Sequence, residues 1–380
     1  MAAPVDYCCM AAHGGAAPTP SKSALSERRP LCPLSMMRSP LNLTGSGPSG
    51  TPPPRLAKVR AWLTPSRYAT YQGDAYEVHE VLGSGAFGLV SLVTKPHDDK
   101  QLFAMKTIDR FRLHNAMLRK SVANEISVLR RLSDEETRHS GIAALIEVIE
   151  TPRSIHLVIE FGGPSCHELL MRDGPLAEAD ARSVGGQIAD ALAHCHALAV
   201  CHRDVKLENI VVHERRAKLI DFGLSCVWHE GMVPLRRLAG SLPYMPPEMA
   251  HLVAGRKRPP LRAREEQPDT ATGYNPSAVD VWSLGASIAR MLIGEHLFQA
   301  GSDDELALLI VRGRYVLPTT LSAASVELLE RMMECDPQRR LPMRAVKAHP
   351  WLADRDRHAD RDRDPPATEP KSWLSAGECP

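Results

Sequence analysis

Apolar and polar positions along the chain fall into three regimes. From Tyr76 the pattern first alternates: Val78 with Val81 and Leu82, then Leu89 to Val93, then Leu102 to Ile108. Short alternating runs rich in β-branched residues predict strands with one face buried. A single helical pattern interrupts them, with Val122, Ile126 and Leu129 at i, i+4 and i+7. Later in the chain the pattern is mostly helical, as in Val184, Ile188, Leu192 and Cys195 on one face. Gly185 and Gly186 fall inside that helix, each costing about 1 kcal/mol relative to Ala, so its continuity is expected to be weakest there. The pattern predicts an α+β chain, a small strand-rich part followed by a larger helical one, without internal repeats.

Periodicity ends at both margins. The first 75 residues hold 11 of the 31 prolines among Gly, Ser and Ala, with 8 Lys/Arg against 3 Asp/Glu. Such a composition cannot bury enough apolar surface to fold and is expected to be a disordered, basic tail. Its Thr19-Pro20, Ser39-Pro40, Thr51-Pro52 and Thr64-Pro65 steps suit a regulatory tail or a plain linker. Residues 353–380, an Arg/Asp run followed by Pro365-Pro366, are expected to be a second solvated tail. The folded unit is therefore expected over residues 76–352.

Over the 380 residues, 46 Lys/Arg against 45 Asp/Glu give a net charge of +1, so no global field attracts nucleic acid or an anionic membrane. No apolar run is long enough to span a bilayer and no secretory signal opens the chain, so a soluble intracellular protein is expected. Nine cysteines without a C-x-x-C pair fit neither a disulfide framework nor a zinc ribbon, which suits reduced thiols in cytosol or nucleus. Cys8 and Cys9 invite acylation, but Ala2 stands where myristoylation needs Gly, and one weak lipid signal is no stable anchor.

The chemistry is concentrated in a few motifs. Gly83-Ser84-Gly85-Ala86-Phe87-Gly88-Leu89-Val90 is a G-x-G-x-x-G-x-V stretch that runs on into strand pattern. A dinucleotide-binding turn needs a helix there, so these glycines instead join two strands in a flap whose amides can close over phosphates. Lys106, between Met105 and Thr107, is either a solvated strand residue or a cation placed under those phosphates. Glu125, 19 residues on, can hold it, with Arg119 and Lys120 as competing partners for Glu125. In His202-Arg203-Asp204-Val205-Lys206-Leu207-Glu208-Asn209 and Asp221-Phe222-Gly223, Asp204 can accept a hydroxyl proton and Lys206 can neutralise a moving phosphoryl group. Asn209 and Asp221 offer oxygen ligands for Mg²⁺.

With these motifs in order, and with Pro247-Glu248, Asp280 and Arg340 behind them, residues 76–352 resemble the eukaryotic protein kinase superfamily. Lys206 and Gly240-Ser241-Leu242-Pro243-Tyr244 resemble serine/threonine kinases. Asp221-Phe222-Gly223-Leu224-Ser225 and His349-Pro350-Trp351-Leu352 look like the calcium/calmodulin-dependent kinase group in its broad sense. The resemblance implies the two-lobed protein kinase fold, a small strand-rich N-lobe and a larger helical C-lobe, with ATP and Mg²⁺ as cofactors. It implies that Lys106 meets the α/β-phosphates and pairs with Glu125. It makes Asp204 the base, Asn209 and Asp221 the metal ligands, and Lys206 a γ-phosphate contact. It places adenine between Leu82, Val90, Ala104 and Val211, with the backbone of Glu160 to Gly162 as the hydrogen-bonding edge. Leu129, Ile146, His202 and Phe222 are expected to stack as a spine on Asp280, and Glu248 to pair with Arg340.

Departures accompany the likeness. Pro246 stands where the family has Ala, the segment from Gly162 to Glu168 is long, and an insert is expected at residues 252–272. The insert carries Arg256-Lys257-Arg258, Arg262 and Arg264, a docking patch or a solvated loop. His194, Cys195, His196, Cys201 and His202 lack the spacing of a tetrahedral metal site. Between Ser225 and Ser241 no Ser, Thr or Tyr is present, so no activating phosphate is expected to pair with Arg203. Glu208 and Glu168 stand where basic-directed kinases read upstream arginines, which implies such a preference. The expectation is a monomeric serine/threonine kinase acting on proteins. A nucleotide-holding scaffold would not need every catalytic group, and a small-molecule phosphotransferase would not need the loop from Gly240 to Glu248.

Overall fold

A computed structural model describes residues 76–85, 88–96, 98–254 and 273–353. Expectations about Ala86, Phe87, the two tails and most of the 252–272 insert lie outside the described residues. The first three residues of that expected insert form the last turn of a helix, with Leu252 and Val253 packed onto an apolar cluster around Met249 and Tyr274.

The alternating runs become five antiparallel strands, β1 (Glu77–Gly85), β2 (Gly88–Lys95), β3 (Asp98–Asp109), β4 (Leu145–Glu150) and β5 (Ser154–Glu160). Their order in the sheet is β1-β2-β3-β5-β4. The period of two sorts β3 cleanly. Phe103 and Met105 join Tyr76, Val93 and Val158 in a small core on one face, while Ala104, Lys106 and Ile108 point to the other. Against that second face lies α1 (Ala116–Ser133), whose N-cap Asn115 accepts from the Leu118 amide at 2.8 Å. Its buried stripe is Val122, Glu125, Val128, Leu129 and Leu132, so a carboxylate is carried inward on an apolar face.

Gly88 shows why that flap needs a glycine. It pairs with Ile108, and a Cβ there would stand 1.7 Å from the Thr107 carbonyl oxygen.

The helical part contains α2 (Cys166–Asp173), α3 (Glu178–Ala197), α4 (Pro247–Ala254), α5 (Pro276–Ile293), α6 (Asp303–Arg312), α7 (Ala323–Met332), α8 (Met343–Lys347) and α9 (Pro350–Ala353). The helix α5 is buried on all sides from Ala278 to Met291, the mark of a central helix. Its hydroxyls are satisfied internally, Ser283 by the Tyr244 carbonyl and Ser287 by the Ser283 carbonyl. The expected weakness at Gly185 and Gly186 does not materialise. The α3 helix runs through both, and a Cβ on Gly185 would lie 2.9 Å from Ile288 of α5, so glycine lets the two helices approach.

Short strands complete the set: β6 (Val200–Cys201) pairs with β9 (Cys226–Val227), and β7 (Ile210–His213) with β8 (Arg216–Leu219). One spine residue needs correction. Ile146 is exposed, and its neighbour Leu145 packs on the core instead. Adjacent strand residues face opposite ways, so an offset of one residue exchanges inside for outside. Among the described residues no helix is long and apolar enough to cross a membrane.

Candidate active site

The cleft between the sheet and the helical part is assembled from four pieces of chain. From β3 comes Lys106, whose Nζ lies 2.6 Å from Glu125 Oε1 on α1 and 2.9 Å from Asp221 Oδ1. Of the possible partners for Glu125, the structure selects Lys106; Arg119 donates to the Leu113 carbonyl instead. Burial pulls the lysine towards neutrality, but the carboxylates of Asp221 and Glu125 hold its ammonium above the usual lysine range. Burial raises Glu125, which has Lys106 as its salt-bridge partner and, among the described residues, a second oxygen without a hydrogen bond.

The segment after β6 supplies the next group. His202 Nε2 bonds the Ile220 carbonyl at 3.0 Å while its Nδ1 accepts from the Asp204 amide at 3.2 Å, which fixes the tautomer. Asp280, fully buried at the start of α5, accepts from the amides of His202 and Arg203 at 2.9 and 2.7 Å and bonds His196 Nε2. These bonds hold the chain in an uncommon course, with Arg203 at φ 66°. Asp204 emerges from this turn buried and fully engaged. Its Oδ1 accepts from Ser241 Oγ at 2.9 Å, its Oδ2 lies 2.8 Å from Lys206 Nζ, and Lys206 also donates to Ser241 at 2.8 Å.

Asn209 donates both to the Asp204 carbonyl and, at 3.3 Å, to its carboxylate, which leaves the amide oxygen as an acceptor. Asp221, at φ 60°, uses Oδ1 for Lys106 and the Gly223 amide, and among the described residues Oδ2 has no hydrogen bond. Burial opposes its ionisation, yet Lys106, His202 and the Gly223 amide hold its carboxyl below the usual range. Oxygens of this kind, from a carboxylate and an amide, fit a hard divalent cation.

The residues expected around adenine lie as follows. Val211 is buried, Val90 and Ala104 are half-buried on the cleft side of the sheet, and Leu82 is at the exposed rim. Gly162 sits against Val211, where a Cβ would come within 2.3 Å of Val211 Cγ2. The Glu160 side chain is paired with Lys218 at 2.8 Å, and its amide donates to the Ala144 carbonyl at 2.9 Å. The flap glycines Gly83, Gly85 and Gly88 and the intervening Ser84 lie on β1 and β2.

The profile described as Protein kinase domain matches residues 76–352. The chain belongs to the protein kinase family. It is 34% identical over 285 residues to the maternal embryonic leucine zipper kinase of Xenopus laevis, covering 73% of this chain and 39% of that protein. It is 31% identical over 281 residues to the SNF-related serine/threonine-protein kinase of Rattus norvegicus, covering 73% of this chain and 34% of that one. It is 31% identical over 279 residues to the SNF1-related protein kinase catalytic subunit alpha KIN12 of Arabidopsis thaliana, covering 73% and 51%. The match thus spans about a third to a half of the length of these kinases.

The remaining kinase features follow. The His202 and Phe222 rings meet edge to face, 4.8 Å apart, beside Leu129. Arg340 grips Glu248 through two bonds of 2.8 and 3.0 Å and lies over the Trp282 ring. Within the histidine and cysteine cluster, His196 and Cys201 join Asp280 with their ligand atoms within 4.8 Å of one another. His194 bonds the Thr137 carbonyl, Cys195 is buried in the core, and His202 belongs to the spine.

Two residues that the motifs do not single out also belong here. Tyr274, just before α5, receives a bond from Arg203 Nη1 at 3.2 Å and donates to the Arg237 carbonyl at 2.6 Å. Arg290 on α5 donates to Glu208 at 3.2 Å and to the Tyr244 hydroxyl, and its Nη2 bonds His167. No spacing rule connects either to the motifs. Each acts through residues remote in sequence.

Proposed function

We propose that this chain transfers the γ-phosphoryl group of ATP to serine and threonine hydroxyls of proteins. The observation that carries this reading is the closed Asp204–Ser241–Lys206 arrangement together with the Lys106–Glu125 pair, which supports a general base and a held cation for phosphoryl transfer.

In this mechanism Lys106, held by Glu125, orients the α/β-phosphates, and the backbone of Glu160 to Gly162 holds the adenine edge. Asp204 Oδ1 already accepts an O–H at 2.9 Å, within the reach a general base needs, and there it takes the proton of the acceptor hydroxyl. Lys206 stabilises charge that develops on the transferred group. Asn209 and Asp221 would hold Mg²⁺, which supplies charge neutralisation on the phosphate oxygens. The two-lobed cleft and the loop from Ser241 to Glu248 favour a polypeptide acceptor.

The carboxylates expected to read arginine both have internal partners. Glu168 closes a capping box with Ser165, and Glu208 is paired with Arg290. We infer that an upstream arginine adds little to recognition. A monomer in cytosol or nucleus, with no nucleic acid partner, suits the balanced charge.

The test is incubation of the purified chain with labelled ATP, Mg²⁺ and a degenerate Ser/Thr peptide library, with Asp204→Asn as control. Label transferred to peptide and lost in the control supports the reading. Absence of transfer with intact nucleotide binding would point to a scaffold instead.

A further inference from the structure

Two thiols face each other at the joint between the catalytic turn and the segment that follows Asp221. Cys201 ends β6, three residues before Asp204, and Cys226 opens β9, five residues after Asp221. The antiparallel register places them directly opposite each other. Directly opposed residues project to the same face of the ladder.

Their separation follows from the hydrogen-bond alternation. The Trp228 amide donates to the Ala199 carbonyl at 2.8 Å, one step beyond the Val200–Val227 pair. Hydrogen-bonded and non-hydrogen-bonded pairs alternate, so Cys201–Cys226 is again a hydrogen-bonded pair, with Cα atoms about 5.5 Å apart. That spacing lies at the commonest value for a disulfide.

We propose that Cys201 and Cys226 form a reversible disulfide that fastens the Asp221 segment to the catalytic turn when the protein meets a hydroperoxide. The approach is asymmetric. Cys201 is buried, whereas Cys226 is half-exposed at the mouth of the ladder and is the sulfur that the oxidant reaches. The neighbouring Cys201 and the Arg203 guanidinium hold the Cys226 thiol below its ordinary range, while Cys226 and burial push Cys201 up.

The chemistry balances in two steps. The Cys226 thiolate attacks the peroxide, the O–O bond breaks, and Cys226 becomes a sulfenic acid as an alcohol or water leaves. The Cys201 sulfur then attacks Cys226, the S–O bond breaks, and the proton of Cys201 departs with the hydroxyl as water. A low-molecular-weight thiol reverses it by exchange. Transient disulfides of this kind suit a reducing compartment, where structural ones do not persist.

The location gives the bond a consequence. The β6–β9 ladder has only two residues on each side, too few to be stable by itself. No Ser, Thr or Tyr lies between Ser225 and Ser241 to stiffen the segment by phosphorylation. A covalent link across the ladder keeps Asp221 and Asp204 in the arrangement described above, so oxidation preserves the catalytic geometry.

The experiment uses the full chain, reduced with dithiothreitol and then exposed to hydrogen peroxide. Non-reducing digestion and mass spectrometry are expected to give the Cys201 and Cys226 peptides joined with the loss of two hydrogens, and separated again by dithiothreitol. Cys195 shares a tryptic peptide with Cys201, so fragmentation must assign the bond. The oxidised protein is expected to melt a few degrees higher and to retain phosphoryl transfer. Cys226→Ser and Cys201→Ser should each abolish both the link and the shift, while Cys226→Ser keeps the activity of the reduced protein. A link through Cys195 or Cys335, sulfinic acid on Cys226 without a link, or a linked protein that has lost activity overturns the proposal. The mass readout is independent of activity, so its failure is distinguishable from failure of the kinase reading.

Discussion

Lys106 is the residue on which most of the cleft's electrostatics converge, because a single ammonium neutralises Glu125 and Asp221 together. Lys106→Met or Asp221→Ala is expected to lower phosphoryl transfer by at least roughly 10²-fold, the size of losing a preorganised electrostatic contact. Folding should survive. Asp221 is nearly half-exposed, and without Lys106 the buried Glu125 can take up a proton, a change its raised pKa already favours. Turnover near wild type in either variant, measured with labelled ATP, would contradict the assignment. Arg290 makes a second prediction at this scale. It is 6% exposed and saturates Glu208 with a charge-assisted bond, while His296 beside Tyr244 is pushed down to about 4 by burial and by Arg290 and so adds no further charge near pH 7. Arg290→Ala should therefore release the Glu208 carboxylate and raise the preference for arginine two or three residues before the acceptor by several-fold. Identical peptide-array profiles for the two proteins would show that Glu208 does not contribute to this site.

Among the elements, the segment from Ser225 to Ser241 carries the clearest consequence. A loop of this kind is commonly ordered by a phosphate on one of its own hydroxyls, which pairs with the arginine that precedes the catalytic Asp. Here Arg203 is already bound to the Leu224 carbonyl and to Tyr274, and Tyr274 in turn holds the Arg237 carbonyl. Leu235 and Tyr274 exchange two backbone bonds, 2.9 and 2.8 Å, and Gly240, at φ 98°, brings the loop so close to Arg203 that a Cβ would lie 2.5 Å from its carbonyl oxygen. Phosphatase-treated protein, checked by mass spectrometry, is accordingly expected to keep its activity, and Tyr274→Phe to lower it while leaving ATP binding intact. Activity that collapses on dephosphorylation and returns only with an upstream kinase would refute this. The missing acceptor was legible from the sequence, but the device that replaces it was not. Tyr274 is separated from the loop it holds by α4 and the residues up to 272, and no local pattern reveals a bond formed only in three dimensions. The same limit explains Ile146, where the run Leu145-Ile146 is apolar at both positions and periodicity alone does not say which faces inward. The catalytic motifs stand out in the sequence because they resemble the set that the protein kinase family carries in the same order. Glu168 illustrates the opposite case, since a carboxylate three residues after Ser165 is equally a capping-box signature, and capping is what the structure uses it for.

For the molecule as a whole, the helical part depends on an ion pair that lies far from the chemistry in sequence but beneath it in space. Arg340 enters from the loop before α8 and is completely shielded, with the Glu248 carboxylate, the Ala278 and Glu334 carbonyls and the Trp282 ring around it. It thereby joins the end of the substrate loop, the central helix α5 and the C-terminal helices at one point. Replacing one partner of such a pair leaves the other charge buried alone, which costs about 3–5 kcal/mol, a large share of the roughly 5–15 kcal/mol that holds a domain together. Arg340→Met is therefore expected to lower the melting temperature by roughly 10 °C. Glu248→Gln should cost less, since an amide can still accept from Arg340, and the double variant should cost less than the sum of the two, because neither charge is then left unpaired. The comparison separates a structural anchor from a catalytic one. If the anchor reading is right, the surviving folded fraction of Glu248→Gln at low temperature still binds ATP and loses mainly peptide phosphorylation, since Glu248 sits directly after the loop that begins at Ser241. Strict additivity of the two melting shifts would mean that Arg340 and Glu248 act separately and that the three regions are joined by apolar packing alone.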